Sequence, residues 1–483
     1  MEHHEHHKHH EHHHGGHHSG RMGTPMYPRN LGYAVSKLSG YHRNTFRIES
    51  TTAQTASAGR IITVNLPENA IIDLHSFRWV IQDAVTNYQT DSAVAGNAIK
   101  AYLPQGNLLI SRLEVLVNGV QITQGCTEYN TAFKLLRNAR MNSTKAQSID
   151  WALQNGNMGA ASTTTATFNA TTVSQDIQMI ISDWLGFLEA PSTRFIDTGL
   201  VGMITIRITL AGNNVLTPAF ITTAGGTTFV QAGGLPGTTT SLVSSMTYTL
   251  NNFYFTVDAI SINDGMYDAL LREKLSHDGF LTINYDEYYS FIQDSNSTSS
   301  LAVRFAVSSQ SINKIYGTLR NTTYTSGGAG VATDSTSFNA DPIIPVFFNF
   351  KSYANDNTLK WNFAINNVYH PQYLAGELEG LNQLITTENK GGFDKDLTGN
   401  LITSFNEYRN NKFCVGIRLN HPIDGETRNQ YISGFDSRGT NAQLLWQMQS
   451  INGLGGVTYC AYVLVNTTNT LRIGLGRSVE LIS

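Results

Sequence analysis

The strongest constraint on this chain is that two distant stretches follow one plan. Residues 113–130, LEVLVNGVQITQGCTEYN, and residues 361–378, WNFAINNVYHPQYLAGEL, both read as strand, Asn-containing tight turn, second strand and short helix. A shift of 248 positions carries Asn118-Gly119 onto Asn366-Asn367, and Leu113, Val115 and Val117 onto Trp361, Phe363 and Ile365. Apolar residues at every second position mark a strand with one buried face. Asn-Gly supplies the positive φ angles that a two-residue hairpin turn needs. After the first hairpin, Tyr129, Ala132, Phe133 and Leu136 recur at helical spacing and predict a short helix over 128–139. After the second, Leu374, Leu378, Leu381 and Ile385 predict one over 373–385. Duplication of a β-rich unit is the simplest account.

At 483 residues the chain is too long for one ordinary core, so two large units are expected. Strand patterns open the first unit: GRIITVNLP (59–67), the alternating stretch 73–85 with Trp79, the hairpin at 108–122, MITIRITLAG (203–212) and 245–257. A helical stripe follows at 263–279, with Asp264 as cap, Tyr267, Leu270, Leu271 and Leu275 as the apolar face, and Gly279 just past its end. Strand patterns then resume at 279–292, 301–321, 343–350, 359–371, 414–420, 444–450, 457–466 and 470–483. Residues 155–175, 211–245 and 322–340 are rich in Thr, Gly and Ser and read as long loops. The expected organisation is an N-terminal arm over 1–44, a first unit over 45–262, a linker helix over 263–278 and a second unit over 279–483. The fold class is all-β: two tandem antiparallel sandwiches with a few short helices.

The arm holds 11 of the 16 histidines within residues 1–20. Those twenty residues offer nothing apolar to pack after Met1, which predicts disorder there. Its imidazoles would bind Zn, Ni or Cu ions weakly, and protonation near pH 6 would make it strongly positive. A solvated arm or an added tag is the ordinary explanation of such a run.

Composition excludes several functions. Charged residues make up 14% of the chain, where globular proteins carry about 25%. The net charge of −4 with no basic stripe does not point to nucleic acid. A surface solvated by neutral Asn, Ser and Thr offers little electrostatic resistance to packing against copies of itself. Cys126, Cys414 and Cys460 are odd in number and far apart, which fits buried thiols in a reducing compartment rather than a disulfide framework. No run approaches the ~18 apolar residues of a membrane span, and the start of the chain carries no signal-peptide core. The Asn-x-Ser/Thr triplets at Asn142, Asn296 and Asn321 follow from an Asn- and Thr-rich composition.

Candidates for catalysis are weak. Asp286-Glu287 offers adjacent carboxylates, but strand neighbours face opposite ways, so surface carboxylates are expected. His421 and Asp424 lack any accompanying Ser or Cys motif and read as loop residues. Tyr285, Tyr288, Tyr289 and Phe291 could form a sugar or base platform, but core and interface is the commoner use. GGAG (327–330) and GLGR (474–477) follow no strand-to-helix pattern and read as turns, and neither a nucleophile elbow nor a phosphate-binding loop is present. No catalytic, cofactor-binding or metal residue is assigned, and no cofactor or small-molecule substrate is expected.

Many short strands, evenly spaced turns and rare helices indicate a sandwich or a jelly roll. Two such units joined by a helix resemble the double jelly-roll major capsid proteins of tailless icosahedral phages, adenovirus-like viruses, virophages and polinton-like viruses. The resemblance is carried by SRLEVLVNGVQITQGCTEYNTAFKLL (111–136), WNFAINNVYHPQYLAGELEGLNQLI (361–385), and ISGFDSRGTNAQLLWQM with YCAYVLVNTTNTLRIGLG (432–448 and 459–476). In Tyr369-His370-Pro371 a His intervenes where a direct Tyr-Pro is commoner in the family. The resemblance implies a structural protein forming pseudo-hexagonal homotrimers that tile an icosahedral virion shell, assembled inside the host cell. It implies partners as well: the chain itself, a penton protein, minor or cement capsid proteins, and an internal membrane or genome facing the N-terminal arm. The alternative is a secreted or surface carbohydrate-binding or adhesive β-sandwich protein, which the missing signal peptide and calcium loop disfavour.

Overall fold

The computed structural model describes residues 41–90, 98–123, 126–141, 172–175, 178–189, 194–221, 227–229, 247–262, 273, 275–295, 299–321, 346–352, 354, 358–388, 402, 404–420, 434–438, 443–450 and 459–483. They form four antiparallel sheets, two from strands before residue 263 and two from strands after residue 279.

The first pair is built on β1 (Tyr41–Ile48), β2 (Ile61–Asn65), β3 (Ile71–Thr90), β4 (Ile110–Val117), β5 (Ile204–Leu210) and β6 (Tyr248–Ile262). One sheet runs β1-β6-β3 and continues through the short strands Ala98–Tyr102, Thr217–Ile221 and Thr227–Phe229. The other runs β2-β5-β4, with Val120–Gln121 at its edge. The second pair is built on β7 (Phe280–Ser295), β8 (Ser300–Phe305), β9 (Ile312–Asn321), β10 (Leu359–Ile365), β11 (Val368–Gly376), β12 (Val415–Arg418), β13 (Leu444–Ser450) and β14 (Tyr459–Gly474). Its sheets run β7-β14-β9-β12 and β8-β13-β10-β11. The orders superpose: β1-β6-β3 on β7-β14-β9, and β2-β5-β4-edge on β8-β13-β10-β11. The longer helices among the described residues are α1 (Tyr129–Arg140), α2 (Glu377–Glu388) and α3 (Phe405–Asn411).

The repeat read from the sequence is therefore a repeat of topology. Asn118 and Gly119 have φ of 47° and 83°, and Asn366 and Asn367 have 48° and 68°. Both turns use the left-handed region, where Gly and Asn cost least. The helices α1 and α2 are each 12 residues long, and the 248-residue shift that superposes the turns also carries Tyr129 onto Glu377 and Arg140 onto Glu388. The sequence reading begins the second helix at 373, but β11 continues to Gly376, paired to Lys360, and delays it.

Each sandwich is closed by aromatic side chains from its inner faces. In the first, Trp79 stacks on Phe255 at a ring separation of 5.9 Å and meets Phe253 edge-on at 6.0 Å. Val115 and Val117 of β4, with Ile206 and Ile208 of β5, are buried in the same core. In the second, Trp446 stacks on Phe363 at 6.0 Å, and its indole lies against Gly317 so closely that a Cβ there would sit 2.6 Å from it. Burying a large apolar side chain stabilises by about 1.5–3 kcal/mol, so these inward faces dominate the folding free energy.

Several elements differ from expectation. The described part of 343–350 is not a strand: Val346–Phe348 is one 3₁₀ turn, and Phe350 makes an isolated bridge with Lys412. Phe347 and Phe348 are both buried and in edge-on contact at 4.9 Å, a placement that strand alternation opposes. The two strands expected at 457–466 and 470–483 are one strand, β14, with Val479–Ile482 folding back on its end. The polar stretch Asn466–Thr470 stays in the strand with its buried Thr468 and Thr470 hydroxyls partnered: Asn313 Nδ2 donates to Thr468 Oγ1 at 2.7 Å, and Thr470 Oγ1 donates to Asn284 Oδ1 at 2.8 Å. Within 211–245, Thr217–Ile221 and Thr227–Phe229 pair as a hairpin, and Thr172–Gln175 at the end of the 155–175 stretch pairs with β3. The first strand starts at Tyr41, inside the segment assigned to the arm. Glu273 and Leu275–Asp278 are helical, and the Gly279 N–H closes that turn on the Leu275 carbonyl at 3.0 Å. Asp264, Tyr267, Leu270, Leu271, residues 1–40 and the loop at 322–340 lie outside the described residues.

Candidate functional site

The region that bears on function is the junction between the sandwiches, because it shows how one copy of the repeated unit receives another. The first sandwich contributes the segment after its hairpin and helix α1. The second contributes the outward face of β7, β9 and β14. Strand pairing puts Tyr288, Ser290, Lys314, Tyr316, Arg320 and Tyr462 on that one face.

A row of polar contacts runs along the junction. The Tyr285 hydroxyl donates to the Ile122 carbonyl at 2.7 Å, and the Thr127 N–H donates to Ser290 Oγ at 2.9 Å. Arg320, almost wholly buried, donates through Nη2 to Glu128 Oε1 at 2.7 Å and through Nη1 to Thr131 Oγ1 at 3.1 Å, while Tyr462 donates to the Glu128 carbonyl at 3.1 Å. At the far rim, Asn118 Nδ2 donates to the Arg477 carbonyl at 2.8 Å, and Arg477 Nη2 donates to the Gly199 carbonyl at 2.9 Å.

The last residues of α1 and α2, equivalent under the repeat, meet directly. Arg140 Nε lies 2.6 Å from Glu388 Oε2, Lys314 Nζ approaches the same oxygen at 3.3 Å, and Tyr316 donates to the other carboxylate oxygen. Arg140 also donates to the Tyr288 hydroxyl at 3.3 Å and lies 3.8 Å from Glu189. Burial alone would raise the Glu388 carboxyl, but the Arg140 and Lys314 cations and the Tyr316 hydroxyl hold it down at about 2. Burial pushes the Glu189 carboxyl up to about 7, against the opposing pull of Arg140. The cluster is an ionic lock rather than a reaction centre: the Glu388 carboxylate is engaged by donors on three sides.

The residues weighed for chemistry are now placed. Asp286 and Glu287 are not surface carboxylates: Asp286 is half-buried at the junction, and Glu287 is buried there too, lining a cavity with Cys126 and Tyr129 of the first sandwich. They are taken out of solvent because β7 is the strand on which the first sandwich lands. Burial raises the Asp286 carboxyl, partly offset by Arg140 and Lys314. Tyr285 and Tyr288 are buried, and Phe187 meets Tyr285 edge-on at 5.2 Å, so this aromatic run packs the junction and the core. Residues 474–477 form a turn with Gly476 and Arg477 at positive φ. The three cysteines are free; burial pushes the Cys126 and Cys460 thiols up to about 12, and the Cys414 thiol well above its usual range. His421, Asp424 and GGAG at 327–330 lie outside the described residues. Among the described residues, no group of three His, Cys, Asp or Glu side chains is placed to hold a metal ion. Sequence reasoning missed Arg140 and Glu388, although both lie at the ends of predicted helices and 248 residues apart.

No family model and no curated protein matches the chain in sequence. Solved structures do match in three dimensions. The capsid of the virus PBCV-1 superposes with a TM-score of 0.52 at 11% identity, over 92% of this chain and 98% of that one. The Faustovirus major capsid protein gives 0.51 at 10% identity, over 90% and 91%. The Sputnik virophage structure gives 0.51 at 12% identity, over 92% and 89%. The fold is the double jelly roll of viral major capsid proteins. At these identities the likeness is one of fold, and it spans both jelly rolls of the chain rather than one. The ionic lock and the Arg320–Glu128 contact are thus the junction between two jelly rolls.

Proposed function

We propose that this protein is the major capsid protein of an icosahedral virus. It acts as a structural subunit, not an enzyme, and three copies associate so that six jelly rolls surround one axis and present a pseudo-hexagonal block. The observation that carries this reading is the duplication itself, with equal strand orders, turns and helices at one constant shift in a fold that matches capsid proteins over about nine-tenths of the chain. A duplicated unit is what lets three chains imitate sixfold packing on a flat lattice. True fivefold vertices then call for a separate penton protein, and the lattice for minor or cement proteins. In this reading the residues before Tyr41 form an arm facing an inner membrane or genome, 41–262 and 279–483 the two jelly rolls, and 263–278 the linker helix. The site of action is the virion shell, assembled in the host cell. Permanent interfaces of this kind bury about 2,000 Å² or more, and the low charge of the chain suits such burial.

Light scattering of purified protein tests the reading. It should report about 160 kDa, three times the 53.1 kDa chain. A stable 53.1 kDa monomer that retains glycans on an affinity column would contradict it and favour an adhesin.

A further inference from the structure

The repeat has a donating face and a receiving face, and within one chain each is used once. The donating face of the first jelly roll holds Asn118, Ile122, Glu128 and Thr131, all of which contact the second. Moving 248 residues along, the same positions are Asn366, His370, Gly376 and Glu379. These lie in the turn before β11, on β11 and at the start of α2, and no other part of the described chain occupies that face as the second jelly roll occupies its counterpart. It is also apolar: Val368 is 54% exposed, Tyr373 57% and Leu378 66%. Three large apolar side chains this exposed within eleven residues are candidates for an interaction surface.

The receiving face repeats too. In the second jelly roll it is the outer side of β7, β14 and β9, covered by the first. Its counterpart is the outer side of β1, β6 and β3. There Arg47 pairs across to Thr256, and Thr256 to Arg78, so the three share a face. Arg47 and Arg78 are exposed, and the Arg47 guanidinium lies 4.1 Å from the centre of the Tyr254 ring. The charges match in kind. The occupied junction sets Glu128 against Arg320; of the other two faces, one carries exposed Glu379 and the other exposed Arg47 and Arg78.

We infer that the Val368–Glu379 face of one copy docks on the outer face of β1, β6 and β3 of a second copy, around Arg47, Tyr254 and Arg78. The inference rests on the threefold reading above and assigns its contact. Because the two faces differ, the contact is head-to-tail, and the threefold reading requires that it close after three chains.

The test compares wild type with the double variant Tyr373→Glu, Leu378→Glu by sedimentation, with circular dichroism to follow the fold. Both side chains are exposed, so the monomer should fold, and the concentration for half-dissociation should rise by at least about tenfold, as expected when central apolar anchors are lost. A trimeric wild type beside an equally stable trimeric variant overturns this contact and leaves the threefold reading standing. A monomeric wild type overturns both. A second arm places a photoreactive phenylalanine analogue at Tyr373 of otherwise unchanged protein. Crosslinks to peptides from 41–48, 71–90 or 248–262 of another copy support the contact even if the charged variant misfolds, and crosslinks confined to other peptides overturn it.

Discussion

Two residues in each hairpin turn carry much of the register of these sheets. Gly119 sits at φ 83° with nothing within 4 Å of where its Cβ would be, so a substitution there meets backbone strain and no clash. Gly119→Val should therefore lower unfolding stability by about 1–2 kcal/mol, the cost of a left-handed L-residue. Chemical denaturation with an unchanged m-value checks this, and an unchanged midpoint would count against the turn. Gly317 is the opposite case. Its φ is ordinary, and its lack of a side chain serves only to admit the Trp446 indole. The first glycine was legible from its Asn-Gly neighbourhood. The second was not, because a close approach between β9 and β13 is set by packing across the sandwich and leaves no local signal.

At the scale of elements, period-two alternation located β4, β5 and β13 to within a residue or two, since each has one core face and one outer face. It failed where both faces are covered. β14 is buried at nearly every position, so its polar middle, Asn466–Thr470, looked like a turn between two strands. Helix α3 was overlooked although Ser404 caps it by accepting from the Glu407 N–H at 3.1 Å, a Ser-x-x-Glu pattern readable in sequence. The lock between α1 and α2 was illegible for a different reason: its partners come from separate copies of the repeat. It makes a definite claim about pH. Glu388 titrates near 2 in the folded protein against 4.5 ordinarily, so its contribution is complete above pH 4.5 and is lost as the pH falls toward 2. Glu388→Gln should cost about 3–5 kcal/mol at pH 7, because Arg140 and Lys314 lose a buried counter-ion. The cost should shrink steadily below pH 4.5. Urea midpoints for both proteins at pH 7, 4 and 3 measure it, and a deficit that stays constant with pH would contradict the lock.

At the scale of the whole molecule, the chain is one architectural unit used twice, with a polar junction inside the chain and an apolar counterpart that no described residue covers in the same way. The tandem β organisation was readable from hydrophobic periodicity and one repeated hairpin. The division into donating and receiving faces was not, since it depends on which strand faces the structure covers. Single-particle electron microscopy of the purified protein addresses the central claim most directly. Three copies in a ring should give axial views with six-lobed outlines and threefold symmetry, each pair of lobes being one chain. Two-lobed single particles at every concentration would contradict it.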